Sequence, residues 1–389
     1  MKNKKIALIG TTGLPAKYGG FETLAHHLTI HLQSKLDFSV YCSDKYFAPK
    51  GERKTTFNGS KLIYLPFNAN GYQSIIYDII SIIHALIYAD VLLILGVSGS
   101  IILPVVKLFS SKPIMINIDG QEWKRGKWNK ITQKFLKLSE RLAVRFADTV
   151  ITDNKAIYDY VSSHYGKKSI LITYGGNHVS KPILDEAFKS KYSFIGSNKY
   201  SFTVCRIEPE NNIHLILEAY AGMPDKMLII VGLWNHGKFG MQLFQQYSKY
   251  PNIHLIDPIY DQHELNMLRA HASVYIHGHA AGGTNPSLVE AMCLGLPVIA
   301  FGVSYNRETT MHKAIYFDDV NGLQQAVMSG TEDNLYKLGE SMRIIGNSNY
   351  KWEDITNTYC YELNQLAHKV ATETEKEEEH DAIQSMIRH

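Results

Sequence analysis

Short apolar runs recur along the chain, each followed by a turn and then by an apolar pattern of helical period. In the first part, Ile6–Ile9, Phe38–Cys42, Lys61–Pro66, Val91–Leu95, Pro113–Ile118 and Thr149–Thr152 read as strands. In the second, Ser201–Ile207, Met227–Gly232, Ile253–Ile256, Val274–Ile276, Pro297–Phe301 and Ile315–Phe317 repeat the rhythm. Alternation of such strands with helices is the βαβ signature of a parallel sheet. The pattern therefore predicts an α/β protein of two Rossmann-like domains, 1–180 and 200–345, joined by a polar linker at 181–199. Trp352, Ile355, Tyr359, Leu363 and Leu366 share one side of a helix placed at 346–370. The acidic, low-complexity segment 371–389 is expected to fray beyond its first turns.

Two stretches raise the question of a membrane. Residues 74–109 are dense in Ile, Leu and Val, but Asp78, His84, Asp90 and Lys107 interrupt them and Gly96–Ser100 break them. A span needs about 20 uninterrupted apolar residues, so this region reads as helix, buried strand, loop and helix. The second stretch is a basic helix within Lys124–Arg145. Lys127, Lys130, Lys134, Lys137, Arg141 and Arg145 recur at helical steps beside an apolar stripe of Trp128, Ile131, Phe135, Leu138 and Leu142. Such a helix either lies on an anionic bilayer or packs its stripe on its own sheet.

Composition narrows the class without naming it. The 389 residues suffice for two ordinary domains, and 45% apolar with 20% charged residues is the balance of a globular protein. A net charge of +3 gives no reason to expect nucleic acid. Cys42, Cys205, Cys293 and Cys360 are far apart and form no metal or disulfide framework, so a reducing compartment is expected. MKNKK followed by IALIG is too short for a signal peptide.

Candidate chemistry gathers at the ends of the strands. HGHAAGGTNPSLVEAMCLGLPVIAF, from His277 to Phe301, reads as strand, glycine loop, capped helix and strand. Asn285 can cap that helix with Pro286 at its first position. The backbone N–H groups of Ser287 and Leu288 would then face outward as an anion site. Glu290, one turn further in, is a candidate partner for sugar hydroxyls, and His279 and His277 stand beside the loop. Near the N-terminus, Gly10–Glu22 (GTTGLPAKYGGFE) forms a second phosphate-type loop, with Gly19 and Gly20 leaving room for a ligand. Its spacing is not that of a dinucleotide fingerprint. Asp119 and Glu122 follow a strand end, the usual ligand edge of such sheets. Arg206 also ends a strand and faces the loops, as a diphosphate clamp would.

The segments TTGLPAKYGGFET, NIDGQEWKRGKW, RIEPENNIHLILEAY and HGHAAGGTNPSLVEAM together resemble a bacterial branch of the family 4 glycosyltransferases, which are GT-B enzymes. This branch is similar to rhamnosyltransferases of capsule and cell-wall polysaccharide synthesis, and the resemblance runs from about residue 5 to about residue 366. By residue, it implies that Arg206 serves the donor diphosphate and that Glu290 contacts the nucleotide ribose. Gly19, Gly20, Gly283, Thr284, Asn285, Ser287 and Leu288 would line the donor site. Two positions depart from the family's pattern. Gly282 stands where the first Glu of E-x7-E is expected, and Asn211 where a lysine is expected.

The resemblance implies transfer with retention, by attack from the leaving-group side, with Asp119 or Glu122 positioning the acceptor or acting as base. No D-x-D occurs in the folded part and no His/Cys cluster has ligand spacing, so neither metal nor other cofactor is expected. The nucleotide diphosphate sugar is a co-substrate. The acceptor is expected to be a lipid-linked saccharide at the cytoplasmic face of the plasma membrane, with the Lys127–Arg145 helix resting on anionic lipid. Rival readings are a nicotinamide-dependent oxidoreductase using Asp44, a nucleotide-sugar epimerase and a catalytically silent nucleotide-sugar-binding subunit.

Overall fold

A computed structural model describes residues 3–16, 19–47, 50–126, 128–195 and 198–387. Lys127, the first lysine of the expected basic stretch, lies outside them, as do Lys17 and Tyr18 in the N-terminal loop. The first domain is built from β1 (Lys4–Ile9), α1 (Gly20–Leu32), β2 (Leu36–Ser43), β3 (Thr56–Phe57), β4 (Ser60–Leu65), α2 (Gln73–Ala85), β5 (Val91–Leu95), α3 (Leu103–Phe109), β6 (Ile114–Asn117), α4 (Lys130–Phe146), β7 (Thr149–Thr152), α5 (Lys155–Tyr165) and β8 (Ile170–Leu171). Its eight strands run in the order β3-β4-β2-β1-β5-β6-β7-β8. All pair in parallel except β3 with β4.

The second domain follows with α6 (Glu186–Lys191), β9 (Tyr200–Val204), α7 (Ile213–Ala221), β10 (Met227–Val231), α8 (Lys238–Tyr247), β11 (Ile253–Ile256), α9 (Gln262–Ala270), β12 (Val274–His277), α10 (Pro286–Cys293), β13 (Val298–Phe301), α11 (Ser304–Thr309), β14 (Ile315–Phe317), α12 (Val320–Met328) and α13 (Glu332–Asn349). Its six strands are all parallel, in the order β11-β10-β9-β12-β13-β14. Continuous apolar strands such as Val91–Leu95 are buried on both faces, and each sheet accordingly has a core cluster on either side. Within the stretch expected as a linker, α6 forms, and Phe188, Tyr192 and Ile195 enter the second domain's core. The short strands β3 and β8 were not expected.

The chain then returns. Helix α14 (Trp352–Ile387) buries Trp352, Ile355, Tyr359, Leu363 and Leu366 in the core of the first domain. Tyr359 accepts from Asn117 Nδ2 through its hydroxyl oxygen at 3.0 Å, tying the helix to the end of β6. Helix α14 extends through the acidic segment to Ile387. The two crossings between domains lie side by side: Gly176 N–H donates to Tyr350 O, and Trp352 N–H to Asn177 Oδ1.

Of the two readings of helix α4, the structure departs from the one in which the apolar stripe packs on the sheet. The buried residues are Leu136, Ser139, Glu140, Ala143 and Val144. Ile131 is 80% exposed and Leu138 48%. The inward face accepts small residues and one acid because Glu140 receives hydrogen bonds from Trp123, Tyr160 and Tyr165. Among the described residues, no helix is long and apolar enough to cross a membrane.

Candidate active site

Both sheets turn their carboxyl edges toward one another, and the loops at those edges meet. Gly120, behind β6, packs against the backbone of Gly282. Gly283 lies against the carboxyl of Asp153, behind β7, so closely that a side chain there would overlap it. Thr284 Oγ1 donates to Asp153 O at 2.6 Å. Asn154 Nδ2 reaches Thr284 Oγ1, Tyr305 O and Thr309 Oγ1 at 3.1 to 3.2 Å. Gly283 and Thr284 thus make the contact between domains, a role that the sequence did not assign to them.

Arg206 follows β9 at the edge of the second domain, with its guanidinium part-exposed and Glu208 3.7 Å from its Nε. Its charge acts across the crevice on two carboxyls of the first domain. Burial pushes Glu22 up, hydrogen bonds to Thr12 oppose this, and Arg206 lowers it further. Burial likewise raises Asp119, whereas Arg125 and, more weakly, Arg206 lower it. The phosphate-type loop is braced from within, because Glu22 Oε1 accepts from Thr12 N–H at 2.7 Å and Thr12 Oγ1 at 2.9 Å. Glu22 Oε2 fills the space that a side chain on Gly19 would need, and Gly20 opens α1 facing Tyr174 and Pro286. Arg206 and the Gly19–Gly20 turn therefore lie on the edges where the two domains meet.

Asp119 and Glu122 come together on a residue that the sequence did not single out. Arg125, buried, holds Glu122 Oε2 at 2.6 Å through Nε and lies 3.7 Å from Asp119 Oδ2. Glu122 Oε1 also accepts from Trp128 Nε1. Asp119 occupies the left-handed region at φ 57°, which Asp tolerates better than most residues, with its N–H on Asn117 Oδ1. Asp153 is fully buried and its carboxyl is pushed well above the usual range by burial and then by the nearby Asp119.

Asn285 caps α10 as its sequence demands, accepting from Ser287 N–H at 3.0 Å and Ser287 Oγ at 2.8 Å. This corrects the expectation of outward-facing donors at Ser287 and Leu288. The cap takes the first N–H, and Leu288 N–H bonds to Asn285 O at 3.1 Å. Leu288 itself is core. A good capping residue satisfies the very donors that an anion would use.

Glu290 is neither solvated nor idle. Arg269, 2% exposed, pairs with Oε2 at 2.6 Å, and His178 Nε2 lies 3.3 Å from Oε1. Burial pushes Glu290 up, but Arg269, with His178, outweighs it and holds the carboxyl below its usual range. Trp352 Nε1 donates to His178 Nδ1 at 3.0 Å. An indole only donates, so the His178 proton sits on Nε2 and points at Glu290. Arg269 and His178 are far from Glu290 in sequence, and no local pattern signals either. His277 is buried beside Tyr275, its pKa pulled down to about 3 by burial. His279 and Asn211 are hydrogen-bonded to each other at 2.7 Å.

Comparison with known proteins divides the chain in the same two places. Residues 3–177 match a domain of unknown function, and residues 185–351 match the model of glycosyl transferases group 1. The second domain is therefore similar to the group 1 glycosyl transferases. An uncharacterized glycosyltransferase of Methanocaldococcus jannaschii is 25% identical over 250 residues, 59% of this chain. The match spans 62% of that relative, less than two thirds of its length. Sucrose-phosphate synthase of Thermosynechococcus elongatus superposes with a TM-score of 0.79 at 16% identity, over 94% of this chain and 99% of that one. Anabaena HepE in complex with UDP gives 0.66 at 14% identity, over 93% and 100%. The architecture of the two domains together is therefore GT-B. None of these matches supports the nicotinamide-dependent reading. Among the described residues, no group of three or more His, Cys, Asp or Glu could hold a metal ion.

Proposed function

We propose that this protein is a retaining glycosyltransferase, moving a sugar from a nucleotide diphosphate donor on the second domain to an acceptor on the first. The observation that carries the reading is Arg206, which follows β9 on the edge of the second domain whose loops meet those of the first. A diphosphate between those loops meets a guanidinium fork suited to its oxygens. The UDP bound to HepE supports a nucleotide in the corresponding cleft. Glu290, held ionised by Arg269, is a fixed acceptor for ribose hydroxyls.

The bond from the anomeric carbon to the phosphate oxygen breaks as the acceptor oxygen bonds to that carbon on the same side. The acceptor's proton passes to the departing phosphate oxygen. Arg206 stabilises the charge that develops there without a metal ion. Asp119 and Glu122, locked together by Arg125, position the acceptor hydroxyl. L-Rhamnose as the sugar, and a lipid-linked saccharide of surface polysaccharide synthesis as the acceptor, rest on the sequence resemblance. A site on the cytoplasmic face of the membrane gains support from α4, whose Ile131 and Leu138 face outward among exposed Lys130, Lys134, Lys137, Arg141 and Arg145. Leu108 and Phe109, at the end of the neighbouring α3, are 78% and 85% exposed. Such a surface suits anionic lipid.

A thermal-shift screen against UDP-, dTDP-, GDP- and ADP-sugars identifies the donor. With it, Arg206→Ala is expected to lower transfer about 100-fold or more, the effect of removing one preorganised charge-stabilising donor. Full transfer by that variant removes the clamp. Product analysis without acceptor excludes an epimerase, and any transfer excludes a silent subunit. Reversing Lys134, Lys137 and Arg141 to Glu should abolish partition onto vesicles rich in phosphatidylglycerol. Unchanged partition assigns α4 a structural role only.

A further inference from the structure

Asn211 and His279 form a device whose chemistry is fixed by its own hydrogen bonds. Asn211 Nδ2 donates to the carbonyl of Arg206 at 2.7 Å. That bond sets which way the amide points and leaves Oδ1 for His279 Nδ1, also at 2.7 Å. An amide oxygen only accepts, so Nδ1 of His279 carries a proton. Burial, then His277, Arg125 and Arg206, keep the ring from taking a second one. The result is a neutral imidazole with its lone pair on Nε2.

Nε2 has no partner among the described residues. It looks onto Gly282, where a Cβ would lie 2.9 Å away. Gly282 has φ 129°, a conformation that L side chains rarely adopt, so no side chain at that position stands before the ring. Gly282 packs in turn against Gly120 of the first domain, which places the ring beside the contact between the two domains. Asn306 Nδ2 anchors the His279 carbonyl at 2.8 Å, so the ring cannot drift with its loop. A lone pair in that position attracts an O–H and repels phosphate oxygens.

We infer that His279 Nε2 accepts a hydrogen bond from a hydroxyl of the transferred sugar, and that Asn211 is a positioning residue that sets its tautomer. The inference rests on the donor-site reading above and deepens it. His279 tells a sugar nucleotide from the bare diphosphate, whereas Arg206 does not.

Two measurements on the full chain test this. Long-range 15N–1H correlation spectra, with His279 assigned by comparison with His279→Gln, should show the proton on Nδ1. Asn211→Leu should redistribute it toward Nε2, and Asn211→Asp, which keeps an acceptor, should restore the Nδ1 form. An Nε2 proton in the native protein, or no change in Asn211→Leu, overturns the positioning role. Calorimetric titration then compares UDP with UDP-glucose and dTDP with dTDP-rhamnose. For the pair in which the sugar strengthens binding, His279→Ala should cut that gain about three- to tenfold, the worth of one hydrogen bond. The affinity of the diphosphate itself should change less than about twofold. Equal weakening of diphosphate and sugar nucleotide makes His279 a phosphate contact and overturns the inference. Normal diphosphate affinity with an unchanged sugar gain sinks the role of His279 alone. A native protein that binds none of the four ligands sinks the donor-site reading itself.

Discussion

Glu290 in the second domain and Asp78 in the first are both buried carboxyls, and the protein treats them in opposite ways. Glu290 has Arg269 at 2.6 Å and His178 at 3.3 Å and stays ionised. Asp78 forms no ion pair among the described residues. Burial raises its pKa to about 8, and a hydrogen bond from the Gly99 backbone only partly opposes this. Asp153 follows Asp78, pushed up by burial and by Asp119. In the second domain a buried cation keeps the Glu290 carboxyl charged, whereas in the first domain burial pushes Asp78 and Asp153 toward the protonated form.

The sharpest way to break this contrast is to strip Glu290 of its arginine. Arg269→Met leaves a buried carboxylate without its cation and should cost about 3–5 kcal/mol in urea unfolding. A loss under about 1 kcal/mol means that the pair is not holding Glu290 ionised.

Asp78→Asn should act in the other direction. Because the folded pKa of about 8 lies above the ordinary 3.8, the native side chain favours folding fully only below pH 3.8. That contribution drains away as pH rises toward 8. Asparagine keeps the acceptor for Gly99 and has no proton to lose. The variant should match the native protein at pH 3 and exceed it by about 3 kcal/mol at pH 6, read from Tm across the range. A gain that does not grow with pH contradicts the raised pKa.

The smallest effect is expected at the seam where the two treatments meet. Asn154→Ala removes the contacts to Thr284, Tyr305 and Thr309 and should cost about 1–2 kcal/mol. Amide exchange should quicken in 304–309 and leave β12 unchanged. Equal quickening in both would mean that Asn154 stabilises the whole second domain and not its docking.

Much of this architecture was legible. The strand rhythm located twelve of the fourteen strands, because continuous apolar runs mark strands covered on both faces. The Asn285-Pro286 cap and the apolar face of α14 followed from local rules. The position of Arg206, just past the carboxyl end of β9, followed from the strand pattern. The partners were not legible. Arg269, His178 and Asp153 act on residues brought to them by tertiary folding, and no spacing encodes that. Helix α4 shows a subtler limit. Its apolar period was plain, but period does not say which way a helix faces. Here the sheet takes Ser139, Glu140 and Ala143 because small residues fit closely and the acid finds three donors.

Gly176 to Trp352 has a consequence for how the molecule can come apart. The chain leaves the first domain and re-enters it through neighbouring residues that are bonded to each other, so the second domain hangs from a single stem. Motion of one half against the other pivots at that stem, where Trp352 also touches His178 and, through it, Glu290. Cutting the chain after Tyr350 would not release two intact halves. It would pull a core helix out of the first, which is why the N-terminal half on its own should prove unable to fold.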